Sequence, residues 1–95
     1  MKYYDRQGNP ITMNQWASAA ATTNTVAKTD VGVSGAKVHV STVWLGLDHS
    51  YDGGPPLIFE TMVFGGGLDL EMERYSTEAE ALAGHAAMCA RVQAS

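Results

Sequence analysis

Val38, Val40, Thr42 and Trp44 alternate with His39, Ser41, Val43 and Leu45 along one continuous stretch, and this two-residue period is that of a β-strand. Towards Leu47 both sets turn apolar, as in a strand covered on each face by its own domain or by a second subunit. A second apolar run, Leu57 to Phe64, lies between Pro55-Pro56 and Gly65-Gly66-Gly67; its eight residues between breakers predict a strand rather than a helix. A short strand is expected before these two, within Thr25 to Val31, leading through a Gly32 to Gly35 turn. Another is expected after them, within Leu68 to Tyr75. There Leu70, Met72 and Arg74 share one side and Glu71, Glu73 and Tyr75 the other, the acidic side marking a sheet edge.

Two stretches carry helix-start chemistry instead. Thr12 with Gln15 and Thr77 with Glu80 each have the spacing of a capping box, in which a hydroxyl and a carboxyl or amide satisfy free backbone amides. The first predicts a short helix over Met13 to Thr22, ended by the Thr- and Asn-rich stretch that follows. The second predicts a helix over Glu78 to Gln93, with Glu78 and Glu80 at the positive end of its dipole and Arg91 at the negative end. Leu82, His85, Met88, Cys89 and Val92 would line its sheet-facing stripe. Near the start, Gly8-Asn9-Pro10 reads as a turn between two short extended pieces.

Together these elements predict one small α+β domain over residues 1–95. It comprises an antiparallel meander sheet of three to four strands, a C-terminal helix packed on one face and a short N-terminal helix. One modest helix covers only part of a sheet whose strands are apolar on both sides, so a homodimer is expected.

Composition narrows the functional classes. With 45% apolar and 17% charged residues the chain of 95 residues has enough apolar side chains for one core. A net charge of -4 argues against nonspecific nucleic-acid binding, which needs a basic surface that displaces counterions from phosphates. Cys89 is the single cysteine, which excludes an intrachain disulfide, a CxxC redox pair and a four-cysteine zinc site, and fits a reducing cytoplasm. No run of 18 apolar residues occurs and the opening MKYYDRQGNPIT lacks an apolar signal core, so neither membrane insertion nor standard export is expected.

Candidate chemistry centres on the loop between the two apolar strands. Asp48 and His49 end the first strand, and with Glu60 and His39 nearby they supply donors for a divalent metal or for acid/base catalysis. No HExxH, HxH or DxD spacing supports this, and the simpler role for Asp48 and His49 is to bond loop amides. Glu60 is the most informative residue: a carboxylate inside LIFETMVF requires a partner, and Arg74 on the following strand is the expected one. The glycines at 53, 54 and 65 to 67 match neither phosphate-loop spacing and read as turns. His85 is expected as a hydrogen-bonded core histidine and Cys89 as a packed thiol. Trp44, Tyr51, Phe59 and Tyr75 offer either core packing or an aromatic contact platform.

The run VSTVWLGLDHSYDGGPPLIFETMVFGG, followed by ERYSTEAEALAGH, resembles a family of small uncharacterised accessory proteins of tailed bacteriophages and prophages, especially those of actinobacteria. The opening YYDRQGNPIT is similar to its members as well. The resemblance implies a setting, the cytoplasm of an infected bacterial host, and no reaction or cofactor. The expected function is therefore noncatalytic binding of a host component, either a host protein or a small signalling nucleotide of antiviral defence. The contact residues would be Trp44, Asp48, His49, Tyr51, Glu60, Arg74 and Tyr75. The alternatives are a small metal-dependent hydrolase built on Asp48, His49 and Glu60, and a minor virion or assembly protein.

Overall fold

In the computed structural model, which describes residues 2–95, the chain runs β1 (Tyr3–Tyr4), β2 (Pro10–Ile11), α1 (Met13–Thr22), β3 (Thr25–Val33), β4 (Ala36–Trp44), β5 (Phe59–Phe64), β6 (Met72–Tyr75) and α2 (Glu78–Ala94). β3 to β6 form a four-stranded antiparallel sheet in which every strand neighbours the next in sequence. The architecture is α+β, as the pattern predicts. β3 is longer than expected, because its pairing with β4 continues to the Ser34-Gly35 turn, where both residues have positive φ.

The alternation along β4 sorts the sheet into two unlike faces. Val38, Val40, Thr42 and Trp44 are buried beneath α2 together with Phe59, Thr61 and Val63 of β5. Both faces were expected to be covered; only this one is. His39, Ser41, Val43, Glu60 and Met62 lie on the other, which no element of the chain crosses.

Both capping boxes form. Thr12 accepts from the Gln15 amide and Thr77 from the Glu80 amide, while each N3 side chain returns a bond to its cap. α2 buries Ala81, His85, Met88 and Val92, at spacings of four, three and four residues. The expected stripe is corrected at its start: Leu82 is 48% exposed and small Ala81 faces the sheet instead. The reason is steric, since the helix meets Trp44, Ile58 and Phe59 at this end and a large side chain has no room. Cys89 lies half-buried at the flank of the lower core, beside Met88 and Val92.

β6 is an edge strand, as expected, but starts at Met72. Leu70 adopts φ 68 in the turn before it, and its amide donates to the Val63 carbonyl at 2.8 Å.

The N-terminal segment is held differently. The Tyr4 amide donates to the Gly46 carbonyl at 2.8 Å, Tyr3 bridges to Leu47, and Trp44 Nε1 donates to the Tyr4 carbonyl at 3.2 Å. α1 buries no residue completely. Its Trp16 is half-buried, donates from Nε1 to the Leu45 carbonyl at 2.8 Å, and packs against Tyr3 at a centroid distance of 5.1 Å. An ion pair of 2.7 Å from Arg6 to Glu78 ties the same segment to the first turn of α2.

Candidate functional site

The loop from Leu47 to Leu57 closes one end of the sheet, and its base is stitched from within. Asp48 Oδ1 accepts from the Ser50 amide at 2.8 Å and the Leu57 amide at 3.1 Å, and the His49 amide donates to the Leu57 carbonyl at 3.1 Å. These amides favour the ionised form, the Ser50 one most, and hold the Asp48 carboxyl below its ordinary value. Further out, Asp52 accepts from the Gly54 amide at 3.0 Å, while Gly53 takes φ 73 at the bend.

The consequence is a braced projection. Tyr51 stands at its tip, 98% exposed, beside an open hollow of about 370 Å³ lined by Tyr51, Asp52, Pro55, Leu57 and Ser76. A large ring left this open gains nothing from the fold, and an aromatic with few rotamers is well suited to an intermolecular contact.

Glu60 and Arg74 are cross-strand partners on the uncovered face, with Arg74 Nε donating to Glu60 Oε2 at 3.1 Å. Both side chains are largely shielded, so the pair supplies the compensation that the sequence demands of Glu60. His39, four residues along the sheet, is occupied elsewhere: its Nδ1 meets Asp30 Oδ1 at 2.5 Å. That bond, ahead of any other influence, lowers the Asp30 carboxyl from its usual range.

The seven sequence candidates therefore do not form one cluster. Asp48, His49 and Tyr51 belong to the loop, and Glu60 and Arg74 to the uncovered face. Trp44 and Tyr75 point the other way, beneath α2, because each pairs with Phe59 on the covered side. A platform combining Arg74 with Trp44 or Tyr75 is thus not assembled. Among the described residues no group of three or more His, Cys, Asp or Glu side chains stands close enough to share a metal ion, and the oxygens of Asp48 and Glu60 noted above already have partners. Likewise no helix is long and apolar enough to cross a membrane.

One polar constellation is under-read in the sequence. His85 Nε2 meets Thr29 Oγ1 at 2.8 Å, its Nδ1 meets Thr42 Oγ1 at 2.7 Å, and Thr42 meets Thr61 Oγ1 at 2.6 Å. The chain of bonds links α2 to β3, β4 and β5. Both ring nitrogens are satisfied in the neutral form, one donating and one accepting, and burial lowers the His85 pKa below its ordinary 6.5. A core histidine is expected from the helix pattern; the readable signal for its partners is the threonine at each central position of the covered face.

Compared with family models, curated proteins and solved structures, the chain matches none.

Proposed function

We propose that this chain is a noncatalytic binding protein that engages a host protein through the Asp48 to Pro56 projection. The observation that carries this reading is Tyr51, a fully exposed aromatic at the tip of a loop whose base is fixed by the bonds of Asp48. Fixing the base before binding removes part of the ordering cost that a flexible loop would incur on contact, and the neighbouring hollow offers a recess for a partner side chain. The resemblance of residues 40–66 to phage accessory proteins supports a bacterial host protein, met in the cytoplasm of an infected cell, as the target.

A host protein is favoured over a signalling nucleotide by the same geometry. A phosphate would require an available cation near an aromatic face, whereas Arg74 is committed to Glu60 and lies across the sheet from Trp44 and Tyr75. Capture from host lysate with immobilised wild-type chain and with Tyr51→Ala provides the test. A stoichiometric host protein retained by the wild type and lost from Tyr51→Ala is the expected result. Equal retention by both, or release of an ultraviolet-absorbing metabolite in place of a protein, overturns the reading.

A further inference from the structure

We infer that the hollow beside Tyr51 receives the guanidinium of an arginine on the partner, so that the target presents a basic surface. The inference rests on the reading of the projection as a recognition element and names what it recognises.

Charge is the first reason. Between Lys37 and Arg74 the chain has no lysine or arginine, while Asp48, Asp52, Glu60, Asp69, Glu71 and Glu73 all fall in that stretch. Glu60 and Glu71 are neutralised by Arg74 and Arg91. Asp48 and Asp52 are not: among the described residues neither enters an ion pair, and the Oδ1 atom of each accepts backbone amides instead. Lys2, whose carbonyl meets the Asp48 amide at 3.4 Å, lines a separate hollow with Tyr3 and Met13. The projection is therefore an anionic prominence, which attracts a basic surface and repels an acidic one.

The make-up of the hollow is the second reason. Its lining holds a single charged group, the Asp52 carboxylate, beside the Tyr51 ring, the Ser76 hydroxyl and the apolar surface of Pro55 and Leu57. Asp52 Oδ1 accepts from the Gly54 amide, which leaves Oδ2 for a second donor. An aromatic face next to a carboxylate selects a cation. A guanidinium suits it best, because its plane can stack on the ring while its N–H groups reach the carboxylate and the hydroxyl together. A lysine ammonium is a strongly hydrated point charge and cannot stack. The methylene stem of an arginine would cover Pro55 and Leu57.

Other occupants fit less well. An apolar side chain would take Asp52 Oδ2 out of water without giving it a donor, and an acidic one would meet a like charge. At about 370 Å³ and open to solvent, the hollow matches one long side chain anchored from a larger surface rather than an enclosed small molecule.

An amide NMR titration with the blocked tripeptide Gly-Arg-Gly tests the inference, with Gly-Lys-Gly and Gly-Glu-Gly as comparisons. The arginine peptide is expected to shift the amides of Tyr51, Asp52, Gly54 and Leu57 saturably at millimolar concentration, the lysine peptide more weakly and the glutamate peptide not at all. Asp52→Asn keeps an oxygen for the Gly54 amide and should weaken arginine binding about threefold to tenfold, as loss of a charge-assisted bond does. Asp69→Asn, an acid outside the hollow, should leave it unchanged. No response to the arginine peptide, an equal response to all three, or an affinity that Asp52→Asn does not alter overturns the inference.

Lysate capture with Asp52→Asn as a third bait separates this failure from failure of the reading beneath it. A host protein lost from Tyr51→Ala but kept by Asp52→Asn overturns the arginine assignment and leaves the projection as the recognition element. Arginine peptide bound in the hollow, with no host protein retained, overturns that reading and leaves the hollow as an arginine site.

Discussion

The Trp16 indole lies so close over Gly46 that a Cβ at this glycine would fall 2.4 Å from Trp16 Cδ1 and 2.8 Å from the Trp44 ring. Gly46 also has φ 74, a conformation that any L side chain resists. The N-terminal segment docks through this contact, since α1 buries no residue completely. Gly46→Ala is expected to release α1 and the β1–β2 hairpin while leaving the sheet folded, at a cost of about 2–3 kcal/mol. Hydrogen exchange checks it: amides of residues 16–22 should lose protection, and those of β4 and β5 should keep it.

Tyr75 and Gly84 give the opposite of two common expectations. Glycine inside a helix is usually improved by alanine, yet a Cβ at Gly84 would meet the Tyr75 ring and hydroxyl at 2.2 Å. Gly84→Ala should therefore lower stability by about 1–3 kcal/mol through overpacking. The Tyr75 hydroxyl, in turn, is buried with no hydrogen-bond partner, alone in this among the described side chains. Tyr75→Phe should raise stability by about 1 kcal/mol, read as a higher urea midpoint with an unchanged slope.

His85 makes folding sensitive to mild acid. Its folded-state pKa lies below the ordinary 6.5, so between the two values the unfolded chain binds more protons than the folded one. The stability it contributes is fully present above pH 6.5 and is lost as pH falls through the lowered folded value. Denaturation midpoints at pH 8 and pH 5 should differ in the wild type, and the difference should shrink in His85→Gln. That variant should also be less stable at pH 8, by about 1–3 kcal/mol, because the Thr29–Thr42–Thr61 hydroxyls lose a partner.

Glu60 and Arg74 should behave as a coupled pair. Arg74→Met strands a largely shielded carboxylate and should cost about 1–2 kcal/mol, while Glu60→Gln together with Arg74→Met should cost less than the sum of the single changes. Thermal denaturation of the four proteins in one buffer measures the coupling. Additive losses would mean that the two charges act independently.

Alternation and capping were enough to read most of this fold. The faces of β4, both capping boxes, the Met13–Thr22 helix and the Glu60–Arg74 partnership follow from residue type and spacing, which are local properties. What could not be read depends on depth. Leu82 and Ala81 are adjacent on the helix, and only the bulk of Trp44 and Phe59 beneath decides which one faces inward. The face assignments of Trp44 and Tyr75 follow from alternation too, yet placing them with Arg74 overlooked that neighbours along a strand point apart. Tyr51 could be placed in a loop but not at its tip, since exposure depends on how Asp48 and Asp52 fold the turns around it.

The Tyr3–Leu47 bridge joins positions far apart in the chain, whereas each sheet strand pairs with its successor. The meander can thus zip hairpin by hairpin at small loop-closure cost, while Tyr3 and Tyr4, paired locally with Ile11 and Pro10, cannot dock on the sheet until Gly46 and Leu47 have been made. A segment made before the sheet is in this sense docked after it, and refolding should show Trp16 burial trailing formation of the sheet.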